Sequence, residues 1–96
     1  MVTIGDLVDF KTNFEDADFW LIRKGSDNMV GKPIKEYSPE HIGVKIKEGS
    51  PIFSDYLFYV FMMLQQQGIF TQLSKGTTRL KNIRVSDIKN IPIKVR

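Results

Sequence analysis

The 96-residue chain contains no cysteine. That excludes a disulfide framework and any cysteine-ligated metal site, and it fits a reducing, cytoplasmic setting. Histidine occurs once, as His41. With no second histidine or cysteine to complete a ligand set, the expected reading is a surface or capping residue, and no metal site is expected. A Ser-His-Asp nucleophile system would have to use His41, and none of the nearby serines (Ser38, Ser50, Ser54) lies in a nucleophile-elbow motif. No signal peptide is expected, because Asp6 and Asp9 interrupt the N-terminal apolar residues. The long apolar run, Tyr56 to Leu64, is far short of the roughly 20 residues of a membrane helix, so no membrane partner is expected. Glycine-rich phosphate loops and dinucleotide fingerprints are missing, and no cofactor is implied. Acids are scarce late in the chain: from Lys75 onward only Asp87 is acidic.

The bases are what that last stretch has instead: Lys75, Arg79, Lys81, Arg84, Lys89, Lys94 and Arg96. Residues 1–48 carry seven bases against nine acids, and residues 49–96 carry seven against two, within a formal net charge of +3. So uneven a distribution suits a protein that presents one region to a polyanion, of which nucleic acid is the commonest. The length is that of one domain, spanning 1–96, with a real but small core.

Patterning points to an α+β fold: a small twisted sheet or partial barrel packed on a central apolar helix. Thr3 is positioned to cap a short helix or turn carrying Ile4, Leu7, Val8 and Phe10. Asn13 to Asp18 reads as an acidic loop, and Phe19 to Arg23 as a strand. After the Gly25–Asn28 turn signal, Met29 to Ile34 returns as a second strand, which Pro33 confines to a sheet edge. Ile42 to Lys47 alternates apolar and polar, as a half-buried strand does. Ser54 is the expected N-cap of a helix running to about Gln67 and ended by Gly68; its first half, apolar all round, is expected to be the central core helix. Ile69 to Leu73 reads as a second short helix. Ile83 to Ile93 reads as a closing strand or turn-strand unit, with Ser86 capping one helical turn.

Two constellations are candidates for ligand contact. Lys75, Arg79, Lys81 and Arg84 flank the turn Gly76-Thr77-Thr78; the cations suit phosphates or guanine edges, and the hydroxyls suit phosphate or a base. Arg23, Lys24, Ser26 and Lys32 surround the predicted hairpin. The plain alternative is a solvated basic surface for the first and an ordinary turn with flanking charges for the second. Phe53, Tyr56, Phe58, Tyr59, Phe61 and Phe70 are spaced for core packing in preference to base stacking. Trp20 reads either as packed with its N–H satisfied or as a partly exposed contact. Asp87-Ile88-Lys89 matches the acid-x-Lys element of restriction nucleases, but the tripeptide is common by chance and the second half offers only Asp55 as a further carboxylate. No catalytic residue is assigned.

The order of these parts resembles the target-recognition domain of type I restriction-modification specificity (S) subunits. The resemblance runs from Thr3-Ile4-Gly5-Asp6-Leu7-Val8 through Leu21 to Ser26, Val30-Gly31-Lys32, the helix opening Asp55-Tyr56-Leu57, and Gly76-Thr77-Thr78, to the isoleucine-rich segment Ile88 to Ile93. It implies sequence-specific binding of duplex DNA, with methyltransferase or restriction subunits as further partners and catalysis left to those subunits. A full S subunit carries two such domains separated by long helices, and no heptad segment is present here. The alternative is a protein-interaction module that modulates restriction-modification subunits without reading DNA. Exposed apolar residues beside the basic tail would favour that reading; salt-dependent DNA binding would favour the first.

Overall fold

The computed structural model describes residues 2–26, 28–76 and 80–93, with the backbone alone for Lys75. The described helices are α1 (Ile4–Leu7), α2 (Ser54–Gln66), α3 (Ile69–Leu73) and α4 (Val85–Ile88). The strands are β1 (Val8–Thr12), β2 (Phe19–Leu21), β3 (Lys24–Gly25), β4 (Pro33–Ile34), β5 (Ile42–Ile46), β6 (Lys75–Gly76) and β7 (Lys81–Asn82). This is the α+β class expected, with two open antiparallel sheets ordered β1-β5-β2-β4 and β3-β7-β6. No described helix is long and apolar enough to cross a membrane.

The helical spacing of Ile4, Leu7, Val8 and Phe10 misleads at its second half. The helix stops at Leu7, and Val8 starts β1, which pairs along its whole length with β5. Val8-Asp9-Phe10-Lys11 also alternates with period two, and pairing with β5 decides between the two periods. β5 is more buried than its alternation implies: Ile42, Gly43 and Val44 are all buried. The loop carrying Phe14 and Ala17 roofs the outer face here. A Cβ on Gly43 would lie 2.7 Å from that of Phe14 and 3.0 Å from that of Ala17, so only glycine permits the crossing. Trp20 is buried and donates its indole N–H to the Phe14 carbonyl at 2.9 Å, tying the same loop down.

The expected strand over Met29 to Ile34 shrinks to β4, because the chain spends residues 28–31 on a turn. β4 lies at the sheet edge, the position to which Pro33 confines it.

Helix α2 ends as the sequence implies, with Gly68 in the left-handed region at φ 80°. Its start differs by one residue: Phe53 occupies the cap, and Ser54 is already helical. Its burial differs more. Only Leu57 and Phe61 are buried, whereas Tyr56, Tyr59 and Met63 are exposed and Phe53 before it is 83% exposed. Three of the six aromatics expected in the core, Phe53, Tyr56 and Tyr59, are therefore outside it. Phe61 is the centre of the packing, with its ring 5.8 Å from those of Phe19 and Phe70 and 6.5 Å from that of Phe10. α3 has the predicted bounds.

The closing segment forms the single helical turn expected near Ser86, and among the described residues no strand follows it. Arg84, in place of Ser86, stands at the cap of α4, and the Asp87 carboxylate accepts from the Arg84 backbone N–H at 2.9 Å. α1 starts the same way, with Asp6 accepting from the Thr3 backbone N–H at 2.9 Å and hydroxyl at 3.0 Å. The two helices meet where Gly5 N–H donates to the Lys89 carbonyl at 2.8 Å, and Thr3 bridges Pro92. That bridge is all that remains of the expected terminal strand.

Candidate nucleic-acid interface

Leaving β2, the chain passes Ile22 and Arg23 into β3. Ile22 is held by reciprocal contacts with the 28–32 turn: its N–H donates to the Lys32 carbonyl at 3.0 Å, and its carbonyl accepts from Gly31 at 2.8 Å. These bonds fix the direction in which Arg23-Lys24 emerges. The Arg23 carbonyl then accepts from Ile83 N–H at 3.0 Å, and β3 pairs with β7: Lys24 opposite Asn82, Gly25 opposite Lys81. On the other side of β7 lies β6, with Lys75 opposite Asn82 and Gly76 opposite Lys81. The small sheet thus joins two candidate segments that are far apart in sequence. Gly76 has φ 117°, and a side chain there would run into the Leu80 carbonyl, so glycine is required at the turn.

Residues directly opposite in an antiparallel pair put their side chains on the same face. Lys24 and Asn82 therefore share one face of the sheet, and Lys81 leaves from the other. Lys81 is half-buried, and its Nζ reaches the Thr71 carbonyl at 3.4 Å, propping β7 on α3. Arg84 is exposed, and its guanidinium lies 3.3–3.4 Å from the Asp87 carboxylate. That carboxylate holds the start of α4, which is the role of the acid in the Asp87-Ile88-Lys89 tripeptide. Among the described residues no three His, Asp or Glu side chains gather as a metal site would require.

The remaining cations divide by whether they are already engaged. Lys35 pairs with Asp55, Lys45 reaches the Asp16 carbonyl, Lys47 the Gly5 carbonyl, and Lys11 lies over the Phe14 ring. Arg23, Lys24 and Lys32 make no side-chain hydrogen bond or ion pair with the described residues, and Lys24 and Lys32 are exposed. Ser26 is half-buried, and its carbonyl accepts from Met29 at 2.9 Å and Val30 at 3.0 Å to close the turn. Thr77, Thr78 and Arg79 lie outside the described residues.

Thr12, which the sequence does not single out, and His41, read there as a surface or capping residue, join this region. A cavity of about 290 Å³ is lined by Thr12, Arg23, Lys24, Pro39, Glu40 and His41. It lies at the seam between the sheets. Thr12 and Leu21 both pair with Ile42, so the ends of β1 and β2 converge on the start of β5, with His41 just before it. His41 is half-buried, and its Nδ1 is buried without a hydrogen-bond partner among the described residues. No local motif could have announced this grouping, because it is produced entirely by strand register.

The sequence matches no protein-family model, and no curated protein is similar to it at a significant level. Among solved structures, the crystal structure of a type I restriction-modification system S subunit from M. genitalium has a similar fold, with a TM-score of 0.68 and 18% sequence identity. The match covers 93% of this chain and 32% of that subunit, so the chain spans about a third of its length. At this identity the likeness establishes the fold.

Proposed function

We propose that this chain binds duplex DNA, in the manner of a target-recognition domain of a type I specificity subunit, with cytoplasmic methyltransferase or restriction subunits as its further partners and without catalysis of its own. The observation that carries the reading is the three-stranded sheet, which pairs Lys24-Gly25 with Lys81-Asn82 and these in turn with Lys75-Gly76. The fold shared with an S subunit supports it. Arg23, Lys24 and Lys32 supply uncommitted positive charge for phosphates, and Ser26, Lys75, Thr77, Thr78 and Arg79 are the further residues proposed for the contact. Lys81 and Arg84 contribute at its margin, while also holding β7 and α4 in place.

The test uses Arg23→Ala/Lys24→Ala/Lys32→Ala, because these side chains have no other partner in the described structure. Fluorescence anisotropy with random duplex DNA across a salt series should show affinity falling steeply with salt. The variant should bind more weakly, with the slope of log K against log salt reduced by about three, one for each phosphate no longer neutralised. Absence of binding at low salt sinks the reading.

A second reading, a protein-interaction module, has its own support in the exposed side of α2. Tyr56, Tyr59 and Met63 fall on one helical face and, with Val60, Leu64 and Gln67, line a cleft of about 320 Å³. Exposed apolar surface of this kind marks contact sites. In pull-downs with purified restriction-modification subunits, Tyr59→Glu/Met63→Glu should abolish capture if this face carries the contact.

A further inference from the structure

We infer that the seam cavity between the two sheets is a phosphodiester-binding pocket, gripping one backbone phosphate of the DNA through Arg23, Thr12 and His41. The inference rests on the DNA-binding reading and adds to it a defined subsite with two residues, Thr12 and His41, that lie outside the basic segments.

The chemistry of the lining carries the assignment. Arg23 offers a forked cation with no partner among the described residues, and a phosphate presents paired oxygens to match it. Lys24 adds a second positive charge at the rim. Glu40 lines the same cavity and offsets one of the two. The resulting net single positive charge complements a phosphodiester, which carries one negative charge, better than a doubly charged phosphate monoester. The Thr12 hydroxyl and the His41 imidazole supply further hydrogen-bonding groups. The His41 imidazole lines the cavity and is half-buried, with its Nδ1 shut off from solvent and without a partner among the described residues. The cavity has the volume of about ten waters, room for a phosphate group with bridging solvent. Its place is also apt: Lys24 faces the surface from β3 while Arg23, one residue earlier, lines the wall, so a strand lying over the small sheet brings its backbone past the opening.

His41 is the sole histidine, so its imidazole resonances are an unambiguous reporter in the intact chain. Imidazole NMR signals are to be followed while adding random duplex DNA, inorganic phosphate, or acetate at matched ionic strength, with duplex affinities measured in parallel for His41→Leu, His41→Gln and Thr12→Val. The expected result is a saturable His41 shift with duplex DNA, no comparable shift with acetate, and affinity reduced roughly tenfold in His41→Leu but largely kept in His41→Gln, which retains a donor. Thermal melts verify that each variant is folded; if His41→Leu is not, Thr12→Val should still weaken binding severalfold. Duplex binding with His41 unmoved and Thr12→Val unchanged overturns the pocket and leaves the DNA reading standing. A shift with inorganic phosphate but not with bound duplex shows a free-phosphate site and overturns the diester assignment. An equal shift with acetate shows a general anion site and overturns it too. No duplex binding by the wild-type chain overturns both readings together.

Discussion

Asp6 and Asp87 do for α1 and α4 what the residues at the cap positions do not. Each helix is four residues long, and in each the carboxylate three residues past the cap reaches back to the cap's backbone N–H. The sequence offers Thr3 and Ser86 as conventional caps; the structure uses Thr3 and Arg84 because an aspartate stands three residues later. The two hydrogen bonds from Thr3, backbone first and hydroxyl second, hold the Asp6 carboxyl below its ordinary value of 3.8, with Lys47 adding a smaller pull. A carboxyl with a lowered folded pKa contributes stability above its unfolded pKa and loses it as pH falls through the folded one. Asp6→Ala should therefore melt below the wild type near neutral pH, and the two melting curves should converge at pH values below the lowered pKa. Thermal melts monitored by circular dichroism over an acid series would show this; a constant difference at every pH would mean that the carboxylate charge is not what holds α1.

At the scale of elements, α2 shows best what the sequence holds and what it does not. Its bounds are legible to within a residue, since Gly49-Ser50-Pro51 breaks the chain before it and Gly68 ends it. Its orientation is not, because an apolar run such as Tyr56 to Leu64 has no polar face to reveal which side meets the sheet. The structure resolves this with Leu57 and Phe61 inward and Tyr56, Tyr59 and Met63 outward. Phe61→Ala should cost about 3–5 kcal/mol, a large share of what a domain of this size has, because it opens a hole between three other rings. Tyr59→Ala, two residues away and 67% exposed, should stay within about 0.5 kcal/mol. Urea titrations of the two variants settle the contrast; similar losses would mean that α2 is rotated from the orientation described. The strands teach the opposite lesson. β2 and β5 are recognisable from their own residues, whereas β3, β6 and β7 are two residues long and owe their existence to one another.

At the scale of the molecule, the candidate interface is legible as two sets of residues and illegible as a place. Arg23-Lys24 lies in the acid-rich half of the sequence and Lys75 to Arg84 in the base-rich half, so a division of charge along the chain suggests two ends. Pairing of β3 with β7 folds that division away by bringing Lys24-Gly25 of one half beside Lys81-Asn82 of the other. The seam cavity is still further from view, because Thr12, Arg23 and His41 are neighbours only through the registers of β1, β2 and β5.

The bridge between Thr3 and Pro92, with Ile93 N–H donating to the Val2 carbonyl at 3.0 Å, has a consequence for the chain as a length of string. Its two described ends leave the domain side by side, so the connectivity is close to a ring, and where the ring is cut matters little to the contacts. A circular permutant with the ends joined by a short glycine linker and new termini opened before Gly49, an exposed turn residue with no atom near its missing side chain, should fold to the same core at the expense of one turn hydrogen bond. Matching amide NMR spectra away from the cut would confirm it. The same adjacency would let the unit be spliced into a surface loop of a larger protein as a cassette, entering and leaving through one doorway.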